Sequence, residues 1–186
     1  MKSKNRLMSV GVAVSLALLA TGAALSAQDK YTVKVPNGLG FAEFKGYETW
    51  QTISVSHNGD HMAVILGNPA MIAAYQAGIP GNGKPFPDGA RMAKVHWNLK
   101  KSEAVPGQPL QPSTQSDVDF MVKDSKRFAD SGGWGYGAFD YDATTDTFRP
   151  ATSASSPPQG NDARCGFGCH TIVKARDYVF TEYAHR

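Results

Sequence analysis

The residues best suited to chemistry lie near the C-terminus, in the stretch Arg164-Cys-Gly-Phe-Gly-Cys-His170, which holds both cysteines of the chain. Two thiols close in sequence can add to two vinyl groups of one porphyrin. A histidine directly after the second thiol can then reach the iron. That is c-type haem attachment, usually written C-x-x-C-H. Here the spacing is C-x-x-x-C-H, and Gly166 and Gly168 give the backbone freedom to absorb the extra residue. A local disulfide between Cys165 and Cys169 is the second reading. It suits an oxidising compartment, yet it closes too short a loop to restrict the unfolded chain much, and it gives His170 no role. A structural zinc site would be one ligand short.

A cluster of this kind needs a rigid domain to hold it. The 186-residue chain contains 19 glycines and 11 prolines, a frequency of turns that favours strands over a helical bundle. Residues 46–57 alternate loosely, with Ile53 and Val55 predicted on one face. Asn58-Gly59 marks a hairpin, and His61 to Leu66 supplies the returning strand. Asn68-Pro69 reads as an N-cap and first helical residue, opening a helix over Ala70–Ala77 that stops at Gly78. Ala90 to Lys100 is the clearest strand: Arg91, Ala93, Val95 and Trp97 share one face, and Met92, Lys94, His96 and Asn98 the other. Pro106 to Pro112 is read as a loop, Val118 to Lys123 and Trp134 to Tyr141 as short strands, and Ala151 to Asp162 as a flexible linker. The tail from Thr171 to Tyr183 is apolar enough to dock. These elements predict a single α+β domain, a predominantly antiparallel sheet with a few flanking helices.

The first 27 residues stand apart. Lys2, Lys4 and Arg6 precede an apolar run from Leu7 to Leu25, and small residues then offer cleavage after Ser26 or Ala27. This is the layout of a secretory signal peptide, which leaves residues 28–186 as the working domain and a periplasmic or secreted location. Those three basic residues carry the whole formal charge of +3. The remainder holds equal numbers of acidic and basic groups, so nothing draws it to nucleic acid or to anionic lipid once the leader is gone. Neither a G-x-S-x-G elbow nor a phosphate-cradling loop occurs.

Three segments resemble the cytochrome P-460 family: Phe86-Pro-Asp-Gly89 followed by Lys94; the run from Lys123 through Gly132-Gly-Trp-Gly-Tyr136; and the Cys/His cluster followed by Asp177-Tyr-Val-Phe-Thr181. The likeness spans about Phe41 to Tyr183, in the family's order. It implies an antiparallel sheet with flanking helices, usually a homodimer, carrying one covalently attached haem c. Cys165 and Cys169 would form the thioethers and His170 would ligate the iron. Lys94 matches a lysine that some members cross-link to the porphyrin edge; in those members a distal carboxylate assists hydroxylamine oxidation. Asp162, just before Cys165, is the candidate for that acid. A sister group, cytochrome c-prime-beta, lacks the cross-link and binds nitric oxide in an apolar pocket. The resemblance therefore implies a small nitrogenous ligand or substrate and, for the oxidising members, an electron-accepting partner cytochrome. The alternatives are nitric-oxide binding without turnover, or a haem-free domain with a Cys165–Cys169 disulfide.

Other residues have plainer readings. A lysine on an alternating strand usually faces solvent, so Lys94 is singled out by the resemblance rather than by its position. Phe86 packs under its loop or lids the haem. His57, His61 and His96 have spacings that match no closed metal site, and Trp134, Tyr136 and Phe139 are core or haem contacts. The leader makes the first prediction: N-terminal sequencing of exported protein is expected to begin at Ala27 or Gln28. A retained Met1 on membrane-bound protein would refute it.

Overall fold

The computed structural model describes residues 27–35, 38–151 and 163–184. Nearly all of the expected leader and all of Asp162 lie outside the described residues. Among the described residues six strands form one sheet: β1 (Gln51–Asn58), β2 (His61–Gly67), β3 (Arg91–Lys101), β4 (Leu110–Lys123), β5 (Trp134–Asp142) and β6 (Thr147–Pro150). Their order in the sheet is their order in the chain, and every neighbouring pair is antiparallel. Two α-helices, α1 (Pro69–Gln76) and α2 (Ala163–His170), and several 3-10 turns complete an α+β domain.

Local signals explain several boundaries. The β1–β2 hairpin turns through Gly59 at φ 58°, a left-handed conformation that glycine adopts at no steric cost. At α1, Asn68 Oδ1 accepts from the Met71 amide at 3.0 Å, and Pro69 occupies the first turn, where no amide hydrogen is needed. Two expectations are corrected, and one strand is added. Leu110 to Pro112 is the start of β4, paired with Leu99 to Lys101, rather than loop. Its polar sequence pairs along an end of the sheet where most residues stay exposed or half-buried, so no apolar alternation advertises it. Strand β6 went unread because four residues are too few to show a period. Ile53 and Val55 do not share a face: the register shifts between Thr52 and Ser54, so Ile53 is fully buried while Val55 is 55% exposed.

Strand alternation gives the sheet two apolar faces. One carries Ala93, Val95, Val118, Phe120, Val122 and Phe139, and the N-terminal segment covers it with Leu39, Phe41, Phe44 and Tyr47. Phe41 meets Phe120, Phe139 and Phe148 at ring-centroid distances of 5.3, 4.9 and 4.8 Å. The Gln28 side chain ties the segment down by donating to the Phe148 carbonyl and accepting from the Phe148 amide. The opposite face carries Ile65, Met92, Met121, Trp134 and Tyr136, covered by α1 and the C-terminal segment. This second face holds the chemistry; the first gives it a rigid back. Truncating Phe41 to alanine is therefore expected to cost ~3–5 kcal/mol, measured by urea denaturation. A loss below ~1 kcal/mol, the scale of an ordinary surface change, would show that this aromatic cluster does not anchor the sheet.

Candidate haem site

A cavity of about 460 Å³ opens between β3, β4 and β5 and the C-terminal segment. The sheet builds its floor in rows. Met92, Met121 and Tyr136 lie side by side across β3, β4 and β5, and the next row in the same sense is Ile65, Lys94, Asp119 and Ala138. Residues opposite each other in antiparallel strands point to the same side, so Lys94 and Asp119 stand together on the cavity face. Val179, Phe180 and Thr181 close the other side, with Cys169 and His170 at the end of α2.

Helix α2 is seated by glycine. A Cβ on Gly166 would stand 3.1 Å from Tyr136, a tight contact, so glycine at that position lets the helix lie close on β5 without displacing the ring. The helical backbone also gives the extra residue of the cysteine motif a meaning: positions 165 and 169 are four apart, one helical turn, and so lie on one side of α2. The side chain of Cys165 lies outside the described residues. Cys169 is a free, exposed thiol.

His170 is half-buried, its ring against Tyr136 at 5.1 Å and Phe180 at 4.9 Å. Its Nδ1–H donates to the Tyr178 carbonyl at 2.6 Å. That bond fixes the tautomer and leaves Nε2 as the ring nitrogen with a free lone pair. Burial pulls the imidazole pKa down, and the positive charge of Lys94 adds to that, against an opposing pull from the Tyr178 carbonyl. The net direction keeps the ring neutral, the form that can ligate a metal.

Beside the cavity the polar row continues outward. His96 Nδ1 bonds Asp117 and lies 3.9 Å from Asp119 Oδ2, and Asp117 also accepts from the Ser116 hydroxyl. His96, Asp117 and Lys94 line an adjoining cleft of about 380 Å³.

The structure thus brings Lys94, Cys169 and His170 to one cavity. Phe86 is elsewhere: 2% exposed, it packs edge-on against Tyr75 and Trp134 in the core, as its under-loop reading implied, and it does not line the cavity. Among the described residues the acid on the cavity wall is Asp119, which sequence reasoning did not single out; the candidate acid Asp162 lies outside the described residues. The signal for Asp119 was present in the alternation Asp117-Val-Asp-Phe120, where Val118 and Phe120 are buried and the two acids must face the other way. Its neighbour across the sheet, however, depends on register.

A family model described as Cytochrome P460 matches residues 44–181. No curated protein matches the chain in sequence.

Asp117 gives a pH prediction. Burial pushes its carboxyl up, but hydrogen bonds from His96 and Ser116, with the charges of His96 and Lys94, outweigh that and hold it low. A carboxylate depressed by folding contributes stability that is complete above its unfolded pKa of about 3.9 and is lost as pH falls through the lower folded value. Asp117→Asn is expected to flatten the acid limb of the stability curve below about pH 4, an ordinary carboxylate's range. Denaturation midpoints from pH 6 to 3 would show it; parallel curves for variant and parent would sink the assignment.

Proposed function

Because the chain belongs to the cytochrome P460 family, haem proteins that act on small nitrogen compounds, we propose that it is an exported mono-haem c protein that oxidises hydroxylamine, nitric oxide or both and passes the electrons to a partner cytochrome. In this reading Cys165 and Cys169 form the two thioethers and His170 ligates the iron. The residues present fit that group. A neutral imidazole with Nε2 free, a thiol on the adjacent residue and walls of Met92, Met121, Val179 and Phe180 form a largely apolar slot with one nitrogen donor that would hold the iron. The four-residue cysteine spacing is served by a helix, which sets positions 165 and 169 one turn apart.

The observation that carries the oxidising reading is that Lys94 and Asp119 share the cavity with His170. When bound, the haem supplies an iron that accepts electrons one at a time. What this chain's own residues supply is polar. Asp119, ionised, accepts a proton from an N–H or O–H of the substrate, and Lys94 lies opposite it in register. His96 Nδ1 lies 3.9 Å from Asp119 Oδ2, close enough for its ring to stabilise a charge on that carboxylate, and the adjoining cleft leads outward.

A second reading, nitric-oxide capture without turnover, is favoured by the same apolar walls, since a neutral diatomic needs no proton acceptor. In both readings the protein works outside the cytoplasm, as a homodimer.

Thioether-bound haem survives denaturation, so a gel stained for haem is expected to show a stained band that fades in Cys165→Ala and in Cys169→Ala. An unstained band from cells with active c-haem maturation, with an intact mass two daltons below the reduced chain, would support the disulfide instead. Within the haem protein, Lys94→Ala is expected to restore an ordinary c-haem spectrum, and Asp119→Asn to lower kcat for hydroxylamine by about 10²–10⁴-fold. Unchanged turnover in Asp119→Asn would remove Asp119 from the oxidising reading, and a haem-loaded parent that binds nitric oxide but does not turn over hydroxylamine would leave the capture reading in its place.

A further inference from the structure

Lys123, the last residue of β4, is 5% exposed. A buried ammonium is retained only where it is fully paired. Its Nζ donates to Asp177 Oδ1 at 2.7 Å, Asp177 Oδ2 at 3.0 Å and the Gly132 carbonyl at 3.0 Å, and sits 5.1 Å over the Trp134 ring. Asp177 is gripped from two more sides. Its Oδ2 accepts from the Phe86 amide and its carbonyl from Trp134 Nε1, each at 2.8 Å.

This grip falls on an unusual piece of backbone. Asp177 and Tyr178 have φ of 50° and 63°, two consecutive non-glycine residues in the left-handed region. Such a conformation persists only where its surroundings over-determine it, and it gathers at functional sites. The second residue is fixed as well: a Cβ on Gly132 would stand 2.3 Å from the Tyr178 ring, so the ring occupies the space a side chain there would need. The product of this turn is the direction of one carbonyl. Tyr178 O points at His170 and accepts from its Nδ1 at 2.6 Å.

We infer that Lys123 and Asp177 are positioning residues for the axial histidine: their buried ion pair holds the left-handed turn that aims the Tyr178 carbonyl at His170 Nδ1. The inference rests on the reading of His170 as the iron ligand. A hydrogen bond to the remote nitrogen of a metal-bound imidazole fixes the ring's tautomer and orientation and raises its basicity, and a more basic axial ligand favours ferric over ferrous iron. The ion pair therefore tunes the iron from two residues that line no part of the cavity. It also explains why an ion pair stands where a well-packed apolar pair would serve stability at least as well. The carboxylate receives the Phe86 amide and the ammonium at once, a double role no apolar side chain can fill.

The test uses haem-loaded protein and two readouts, the midpoint potential and the ferrous iron–histidine stretching frequency from resonance Raman. Lys123→Met and Asp177→Asn are expected to shift the potential upward and lower the stretching frequency, and Lys123→Arg to return both towards the parent values. Where Lys123→Met does not fold, Trp134→Phe, which removes the indole donor to the Asp177 carbonyl but keeps an aromatic ring, is expected to shift both readouts in the same direction by less. Parent values in the folded variants, or in Trp134→Phe where the others do not fold, overturn the inference. His170→Gly separates the two levels. If it leaves the axial signature intact, the ligand assignment has failed; if it removes the signature while the Lys123 and Asp177 variants keep parent values, the ligand stands and the clamp does not.

Discussion

A lysine ammonium with almost no contact with water must be given an anion, and the C-terminal third of this fold is arranged around that need. Lys123 ends β4 beneath the Trp134 ring, and among the described residues the carboxylate that reaches it, Asp177, comes from the chain beyond α2. Meeting that requirement brings the C-terminal segment onto the sheet and turns it through two left-handed residues. Burial of Val179 and the bond from Tyr75 Oη to the Thr181 carbonyl complete the docking. Without that return path the sheet would keep its floor of methionines and Tyr136 but lose the opposite wall. The cavity is therefore a consequence of the ion pair as much as of the sheet.

The sheet contributes the other constraint, which is register. In an antiparallel meander each residue has a fixed neighbour across the strand, so β3 and β4 need only pair correctly for Lys94 to face Asp119 and for His96 to face Asp117. A slip of one residue in either strand would send its own pair, Lys94 and His96 or Asp117 and Asp119, to the aromatic core beneath the N-terminal segment. The apolar partners on that far side, Val95 against Val118 and Ala93 against Phe120, make such a slip prohibitive. Core packing on one face thus specifies polar chemistry on the other.

This division accounts for what could be read from the residues alone. The cysteine cluster, the capped helix at Asn68, the hairpin at Gly59 and the two faces of the Arg91–Lys101 strand are local patterns, each settled within a few residues by spacing or turn chemistry. So was the placing of Met92, Lys94 and His96 on one face. Partners from distant parts of the chain were not legible. Asp119 became visible only when β4 paired with β3, and Asp177 only when the tail folded back 54 positions to reach Lys123. The first residues of β4 were hidden for a related reason: strands that stay open to water lose the alternation that reveals them. The bulge at Ile53 was hidden because it breaks the very period used to find strands.

Under the proposed function, the choice between oxidation and capture comes down to distance within one cavity. The row of Met92, Met121 and Tyr136 and the row of Lys94 and Asp119 are two residues apart along their strands, roughly 7 Å at an antiparallel rise. Tyr136 is the residue on which α2 is seated, so the apolar row lies on the side of the cysteine helix and the charged row is displaced away from it. A small molecule held over the apolar row meets methionine and aromatic carbon, an environment indifferent to its protons. Moved by one row, the same molecule meets a carboxylate and an ammonium set opposite each other, and beyond them His96, Asp117 and the outer cleft. Proton removal is favoured only there, because only there does a charge left behind find groups of both signs. The sheet thus grades polarity outward from the helix, and under the proposed function the place of the ligand on that gradient separates capture from oxidation.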